Sequence, residues 1–348
     1  VKSGKTAWRS PSNIAVVKYW GKKGYQVPAN PSVSMTLTKC CTETSMEYKK
    51  KANSASPSFD FLFQGEKNIL FEKRTSLFLE SAINALPSLK DLHLNIETSN
   101  SFPHSAGIAS SASSISSLAL CLIEINRQVS GNYENEEQFF RKASHLARLG
   151  SGSACRSIYG GWVLWGEISG IEHSSDDYAI PLSDSLHRNF INWYDSILVV
   201  NSGVKQVTSS QGHTKMESNP YKEIKYETGR KNALASITAL KTGDEKLLRK
   251  VTEYEAASLH SMFLLSDPPY ILIKPESLQI INKIVRFRQD SGLEFSFTLD
   301  AGPNIHLLYP ESIRDMMISF IKSELILFCE DGMWIDDIMG KGPESIQK

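Results

Sequence analysis

A chain of 348 residues exceeds the size at which one hydrophobic core usually stops growing, so two domains are expected. Hydrophobic residues at 41% and charged residues at 22% exclude a disordered chain. Thirty-eight basic residues against 38 acidic ones leave no net charge, which excludes the global electrostatic footprint of a nucleic-acid or anionic-membrane binder but leaves room for a local basic pocket.

The amino end, VKSGKTAWRSPSN, lacks the apolar core of a signal peptide, and no later run approaches the length of a membrane span. Cys40, Cys41, Cys121, Cys155 and Cys329 contain no C-x-x-C pair, so neither a disulfide framework nor a zinc knuckle is suggested. A soluble protein of the reducing cytoplasm is expected. The fragment SGKT at Ser3 to Thr6 lacks the preceding glycine and strand of a Walker loop and is discounted.

In SPSNIAVVKYWGKK, Lys18 emerges from a strand-like apolar run beside Tyr19 and Trp20, with Lys22 following Gly21. A cation fixed beside aromatic rings binds anions or orients a carboxylate; a surface strand with snorkelling lysines would read the same way. Val33 to Leu37 and Cys40 to Tyr48 have strand composition, and KKANSASPS after them that of an exposed turn, so a hairpin is expected. From Phe71, Phe78, Leu79, Ala82 and Ala85 recur at helical spacing until Pro87.

The stretch SFPHSAGIASSASSISSLALC, from Ser101 to Cys121, places Pro103, Gly107 and a run of Ser and Ala ahead of an apolar helix. Such a helix start offers unpaired N–H groups and small side chains to a phosphate, with Ser110, Ser111 and Ser113 adding hydroxyls for phosphate or Mg²⁺. The competing reading is a helix that packs closely through small residues. Its apolar stripe is Ile115, Leu118, Ala119, Leu122 and Ile123.

A further helix over Glu136 to Leu149, opened by Asn135 and closed by Gly150, leads into RLGSGSACRSIYGG. There Ser151, Gly152, Ser153 and Arg156 offer backbone, hydroxyls and a guanidinium suited to a carboxylate or phosphate, or else a flexible connector. GGWVLWGEI and SILVV read as strands, with a boundary near Phe190 dividing the chain into 1–190 and 191–348. Helices around Asn232 to Leu240 and Glu245 to Leu259 precede the strands EFSFTL and IHLLY.

In FSFTLDAGPN, Phe295, Phe297 and Leu299 alternate with Ser296, Thr298 and Asp300, so the Asp300 carboxylate leaves the strand on the side away from the core, facing a cleft or capping its own turn. The eight histidines show no HExxH or comparable spacing, so no transition-metal site is expected. Mixed helices and strands in both halves predict an α+β protein of two layered domains.

In this order, SNIAVVKYWGK, FPHSAGIASSAS, GSGSACRSIYGG and FTLDAGPN resemble the mevalonate diphosphate decarboxylase family, a branch of the GHMP kinase superfamily, over about Ser10 to Pro310. The tail after Pro310 adds little to the likeness. The resemblance implies a GHMP kinase-type two-domain fold: a ribosomal-protein-S5 domain 2-like N-terminal domain carrying the phosphate loop and a ferredoxin-like C-terminal domain carrying Asp300. The cleft between them would hold the site. It implies a homodimer that uses ATP and Mg²⁺ to convert mevalonate 5-diphosphate to isopentenyl diphosphate, CO₂, ADP and phosphate.

By the same likeness Asp300, Lys18 and Arg156 match the catalytic set, with Asp300 at the substrate's 3-hydroxyl and Arg156 at its carboxylate. Tyr19, Trp20, Gly21, Lys22, Arg74, Ser151, Gly152, Ser153, Ala154, Cys155 and Ser210 would line the mevalonate diphosphate pocket. Ser105, Gly107, Ala109, Ser110, Ser111 and Ser113 would hold ATP, with Ser110 and Ser111 at Mg²⁺. His104 and Ser105 stand where the family usually has Thr-Ala. A decarboxylase of mevalonate 5-phosphate, a mevalonate 3-kinase and a non-catalytic metabolite sensor are the competing functions.

Overall fold

Alternating β-branched and small residues over the first fifty positions build two long strands. β1 (Ser3–Val17) is followed by the short hairpin β2 (Lys22–Gly24) and β3 (Val27–Pro28), and then by β4 (Ser32–Lys50). The computed structural model describes residues 2–51, 58–102, 108–203 and 209–346, without the side chains of Ser209 and Ser210. SGKT lies inside β1, which leaves it no phosphate-loop geometry.

β4 is one strand where the sequence suggests two. Its register against β1 jumps from Pro11↔Cys41 to Asn13↔Thr36, and the skipped segment forms a bulge rather than a turn. The buried Asp337 carboxylate closes that bulge, accepting from the backbone N–H groups of Thr38 at 3.0 Å, Lys39 at 2.8 Å and Cys40 at 2.7 Å. Nor do β4 and β5 (Ser58–Phe63) form a hairpin. The helix α1 (Ile69–Ala85), capped by Asn68, is a crossover that returns β6 (Leu92–Asn100) between them, antiparallel to β4 and parallel to β5.

Next come α2 (Ser110–Ser130) and α3 (Glu136–Gly150), the latter capped by Asn135, whose Oδ1 accepts from Gln138 N at 2.8 Å. β7 (Trp162–Trp165) and β8 (Ala179–Pro181) extend the sheet from the first residues of β4. Phe78, Leu94, Ile96, Leu118, Leu122 and Phe139 form the core between this sheet and its helices. Small residues bring α2 close to the sheet, and the buried hydroxyls pair across the gap: Ser113 with Thr42 and Ser117 with Thr44, each at 2.7 Å, and Ser116 with Ser10.

The second half runs β9 (Trp193–Leu198), α4 (Ser209–Glu217), α5 (Lys222–Thr242), α6 (Glu245–Leu264), α7 (Pro275–Ser291), β10 (Ser296–Thr298) and β11 (Ile305–Pro310). α8 (Arg314–Phe320), β12 (Trp334–Ile338) and β13 (Glu344–Ser345) complete it. Its antiparallel sheet has the order β10-β11-β9-β12. One face packs Leu198, Phe295, Leu307 and Tyr309 against Ile280, Ile284 and Phe320 of α7 and α8. The other turns towards α5, α6 and the first sheet.

The chain beyond Pro310 contributes a strand to each sheet. β12 forms an edge of the second sheet, while β13 returns to the first and pairs with β1, Trp8 opposite Ser345. Among the described residues no helix is long and apolar enough to cross a membrane.

Candidate active site

The ladder of β1 ends at Val17↔Val33, after bulges at Pro11/Asn13 and Ala15/Val17 that turn Asn13, Ala15 and Lys18 towards a cavity between the two halves. Lys18 is buried, and its Nζ donates to the Ala15 carbonyl at 2.7 Å and to Asp300 Oδ1 at 2.8 Å. Asp300 stands two residues beyond β10, on the strand-end loop that the sequence reading assigned to it. That reading is only half right about the strand: Ser296 and Thr298, on the same side, are buried under α6. Asp300 instead reaches the cavity, its side chain 30% exposed.

Arg156 sits in the helical turn Gly152–Ile158 that follows α3 and is buried. Its fork is held by Ser34 Oγ at 3.0 Å, Ser32 Oγ at 2.6 Å and Asn13 Oδ1 at 3.3 and 3.4 Å. Burial pulls its pKa below the usual guanidinium value, with Asp300 acting in the opposite direction. All three hydrogen-bond partners are neutral, so they orient the guanidinium without cancelling its charge. Asn13, which also donates to Ser157 Oγ at 2.8 Å, is a site residue that the sequence reading missed. It lay inside the quoted SNIAVVKYWGK, but only the cation there carried an evident chemistry.

Lys18, Arg156 and Asp300 line one cavity of about 880 Å³. Ala109, Ser110 and Ser111 reach the same space, as do Tyr19, Trp20, Lys22, Arg74, Ser151, Gly152 and Ser153. The described lining carries Lys18, Lys22, Arg74 and Arg156 against a single carboxylate, Asp300, so a protein without net charge has a basic cavity. Burial lowers the pKa of Lys22, opposed by Glu217.

Ala109 precedes α2 in the left-handed region, at φ 43° and ψ 42°, and among the described residues no side chain caps its first turn. Those N–H groups and the positive end of the helix dipole therefore face the cavity beside the hydroxyls of Ser110 and Ser111. Ser113 belongs elsewhere: it is wholly buried against Thr42 in the helix–sheet contact, pointing away from the cavity. The serine run is divided between two faces of one helix, Ser110 and Ser111 on the cavity and Ser113 on the sheet. Pro103, His104, Ser105 and Gly107 lie outside the described residues, as does the side chain of Ser210.

Ala154 and Cys155 also fall behind the wall rather than on it. Cys155 is fully buried with its Sγ 3.0 Å from the Gly152 carbonyl, and burial pushes its thiol up to about 12. In front of them Gly152 passes between Tyr19 and Trp165, where a Cβ would come within 2.8 Å of Tyr19 and 2.7 Å of Trp165. Gly21, at φ +91°, leaves space that Tyr226 fills.

Gly21 N donates to His213 Nδ1 at 3.0 Å, and the His213 ring packs on Tyr19 and Trp20, centroids at 4.3 and 4.9 Å. Burial and the Lys22 charge push the pKa of His213 down to about 3, so it is neutral with its proton on Nε2. His213 is a second lining residue missed in the sequence, because only the fold brings α4 against Tyr19 to Gly21.

Residues 10–179 match the family model of the diphosphomevalonate decarboxylase-like N-terminal domain, and residues 196–335 that of the mevalonate 5-diphosphate decarboxylase C-terminal domain. The diphosphomevalonate decarboxylase of Saccharomyces cerevisiae is 30% identical over 330 residues, covering 90% of this chain and 79% of the relative. The chain belongs to the diphosphomevalonate decarboxylase family. The fold agrees: the mevalonate diphosphate decarboxylase of Staphylococcus aureus superposes with a TM-score of 0.82 at 29% identity, covering 99% of this chain and 98% of that one. A structure of MDDEF in complex with MVAPP, AMPPCP and magnesium gives 0.81 at 28% identity, covering 99% and 100%. The protein therefore has the α+β, GHMP kinase-type two-domain fold of these enzymes.

Proposed function

We propose that this cavity carries out the ATP-dependent decarboxylation of mevalonate 5-diphosphate to isopentenyl diphosphate, with CO₂, ADP and phosphate as the other products. The observation that carries the reading is the Lys18–Asp300 pair opening onto the cavity that Arg156 and the start of α2 also line. A tertiary alcohol is a poor leaving group, so its hydroxyl must first gain a phosphoryl group. Asp300 accepts the hydroxyl proton or orients the oxygen, and Lys18 keeps that carboxylate ionised and favours the negative charge of the transfer.

Arg156 then holds the C1 carboxylate in line with the departing phosphate, so that the C1–C2 bond breaks as the C3–O bond does and CO₂ leaves. Its neutral protein partners leave the guanidinium's charge available to the substrate. Lys22 and Arg74 attract the diphosphate end, and Tyr19, Trp20, Ser151 and Ser153 shape its bed. The open N–H groups of α2 bind the ATP phosphates.

The described residues include no group of three or more His, Cys, Asp or Glu able to hold a metal, so a divalent cation here would rest on hydroxyl and phosphate oxygens. That donor set fits Mg²⁺, with Ser110 and Ser111 as its protein contacts. When bound, Mg²⁺ neutralises phosphate charge. The division at about residue 190, a homodimer and a cytoplasmic location belong to the same proposal, the first resting on the strand and loop pattern around Phe190, the second on the resemblance and the third on cysteine usage.

The test is ADP release with Mg²⁺ and ATP on mevalonate, mevalonate 5-phosphate and mevalonate 5-diphosphate in separate reactions. Turnover on the diphosphate alone is expected. Preference for the monophosphate would reassign the substrate, and saturable ATP binding with no turnover on any of the three would make the protein a sensor.

A further inference from the structure

Behind the reactive pair lies a second, hidden carboxylate. Glu255 of α6 is completely buried, and its two oxygens take three donors: Asn232 Nδ2 at 2.6 Å on Oε1, and Lys225 Nζ at 2.7 Å and the backbone N–H of Lys18 at 3.0 Å, both on Oε2. Lys225, from α5, is itself buried. A buried ion pair is a poor source of stability, since apolar residues of the same volume often do as well. The contact that apolar residues cannot replace is the one to Lys18.

Lys18 is the first residue past the β1 ladder, so its N–H has no strand partner. Glu255 supplies the acceptor. The Lys18 carbonyl in turn accepts from Asn30 Nδ2 at 3.0 Å, and its ammonium spans Ala15 O and Asp300. Every polar group of Lys18 thus has a specified partner, and the one that reaches across from the second half of the chain to its backbone is Glu255. The helix bearing Glu255 also packs on β10, the strand that delivers Asp300. One turn further along α6, the buried His260 feels the charges of both Lys18 and Asp300.

We propose that Glu255 is a positioning residue for phosphoryl transfer: by anchoring the Lys18 peptide to α6 it fixes where the Lys18 ammonium meets the Asp300 carboxylate across the two halves of the molecule. The proposal rests on the reading of Lys18 and Asp300 as the reactive pair. Glu255 touches neither substrate nor the cavity, so its loss lowers turnover and leaves substrate binding alone.

Two double variants separate this from a merely structural role, because each removes the buried lysine together with the buried charge. Lys225→Met/Glu255→Gln keeps an oxygen for the Lys18 N–H, and its kcat should stay within about 3-fold of wild type. Lys225→Met/Glu255→Met keeps the volume but offers no such acceptor; its kcat should fall about 10-fold or more, with KM for both substrates within about 3-fold. Equal turnover in the two folded variants would overturn the proposal, as would loss of turnover in a folded Gln variant.

Amide hydrogen exchange of wild-type Lys18 gives an answer that does not depend on the Met variant folding. Protection equal to that of the β1 ladder is expected, and exchange as fast as in an exposed loop would overturn the proposal. Asp300→Asn, assayed alongside, distinguishes the two levels. Wild-type turnover in Asp300→Asn would remove the underlying reading, whereas an inactive Asp300→Asn beside a fully active Met variant would remove only the role of Glu255.

Discussion

Two lysine–carboxylate pairs stand close together in this molecule and are nearly equal in length, Lys18–Asp300 at 2.8 Å and Lys225–Glu255 at 2.7 Å. Their surroundings differ. The Asp300 side chain is 30% exposed and opens onto the cavity, whereas Glu255 is fully enclosed and both of its oxygens are engaged by protein donors. Like chemical groups thus suit different ends: on the proposed reading the half-open carboxylate meets the substrate hydroxyl, and the closed one holds its neighbours in place. Access decides the role, more than pairing does.

The contrast breaks most sharply at Asp300. Asp300→Asn should lower kcat by about 10³-fold while ATP and mevalonate 5-diphosphate still bind with near wild-type affinity, measured by calorimetry. At the closed pair the damage should fall on the fold instead. Lys225→Met alone leaves the Glu255 charge buried without its cation and should cost about 3–5 kcal/mol in urea unfolding. A similar stability loss in Lys18→Met, with activity retained, would erase the distinction.

Arg156 sharpens the comparison from the substrate side. Arg156→Gln keeps a polar side chain among Asn13, Ser32 and Ser34 but loses the carboxylate clamp, so CO₂ release should fall about 10²-fold and the ratio of ADP to CO₂ should rise above one. The smallest effect concerns pH. Burial pushes His213 down to about 3 and His260 to about 4, so the unfolded chain binds protons near pH 6.5 that the folded protein refuses. Stability is therefore full above that value and declines as pH falls towards 4, by about 1.5 kcal/mol between pH 7.5 and 6 in chemical denaturation for the two together. His213→Gln should flatten that decline.

Much of the candidate site was legible because its signals are local in the chain. Lys18 with its aromatic neighbours, the glycine-rich segment leading to Arg156 and the strand end at Asp300 each carry their signal within a few residues. What stayed hidden depends on contacts between distant segments. Glu255 looks like one more charge on a helix until the fold buries it beneath Lys18, 237 positions away in sequence. His213 and Asn13 likewise become site residues only when α4 and the bulged β1 meet the cavity.

The errors have the same physical origin. The sequence separates Val33–Leu37 from Cys40–Tyr48, and the two run together as one bulged strand because Asp337, near the other end of the chain, satisfies the N–H groups of Thr38, Lys39 and Cys40. β4 and β5, expected from the sequence to form a hairpin, do not pair, because a crossover helix places β6 between them. In the serine run the composition alone could not assign faces. Helical geometry does so, sending Ser110 and Ser111 to the cavity and Ser113, Ser116 and Ser117 to the sheet.

The most direct test of the account is simultaneous measurement of ADP and CO₂ from the wild-type protein given Mg²⁺, ATP and mevalonate 5-diphosphate. Equal amounts of the two, with isopentenyl diphosphate formed in step, are what a cavity joining the Lys18–Asp300 pair to Arg156 should yield. ADP without CO₂ would contradict the account, leaving a kinase in which Arg156 has no part in the chemistry.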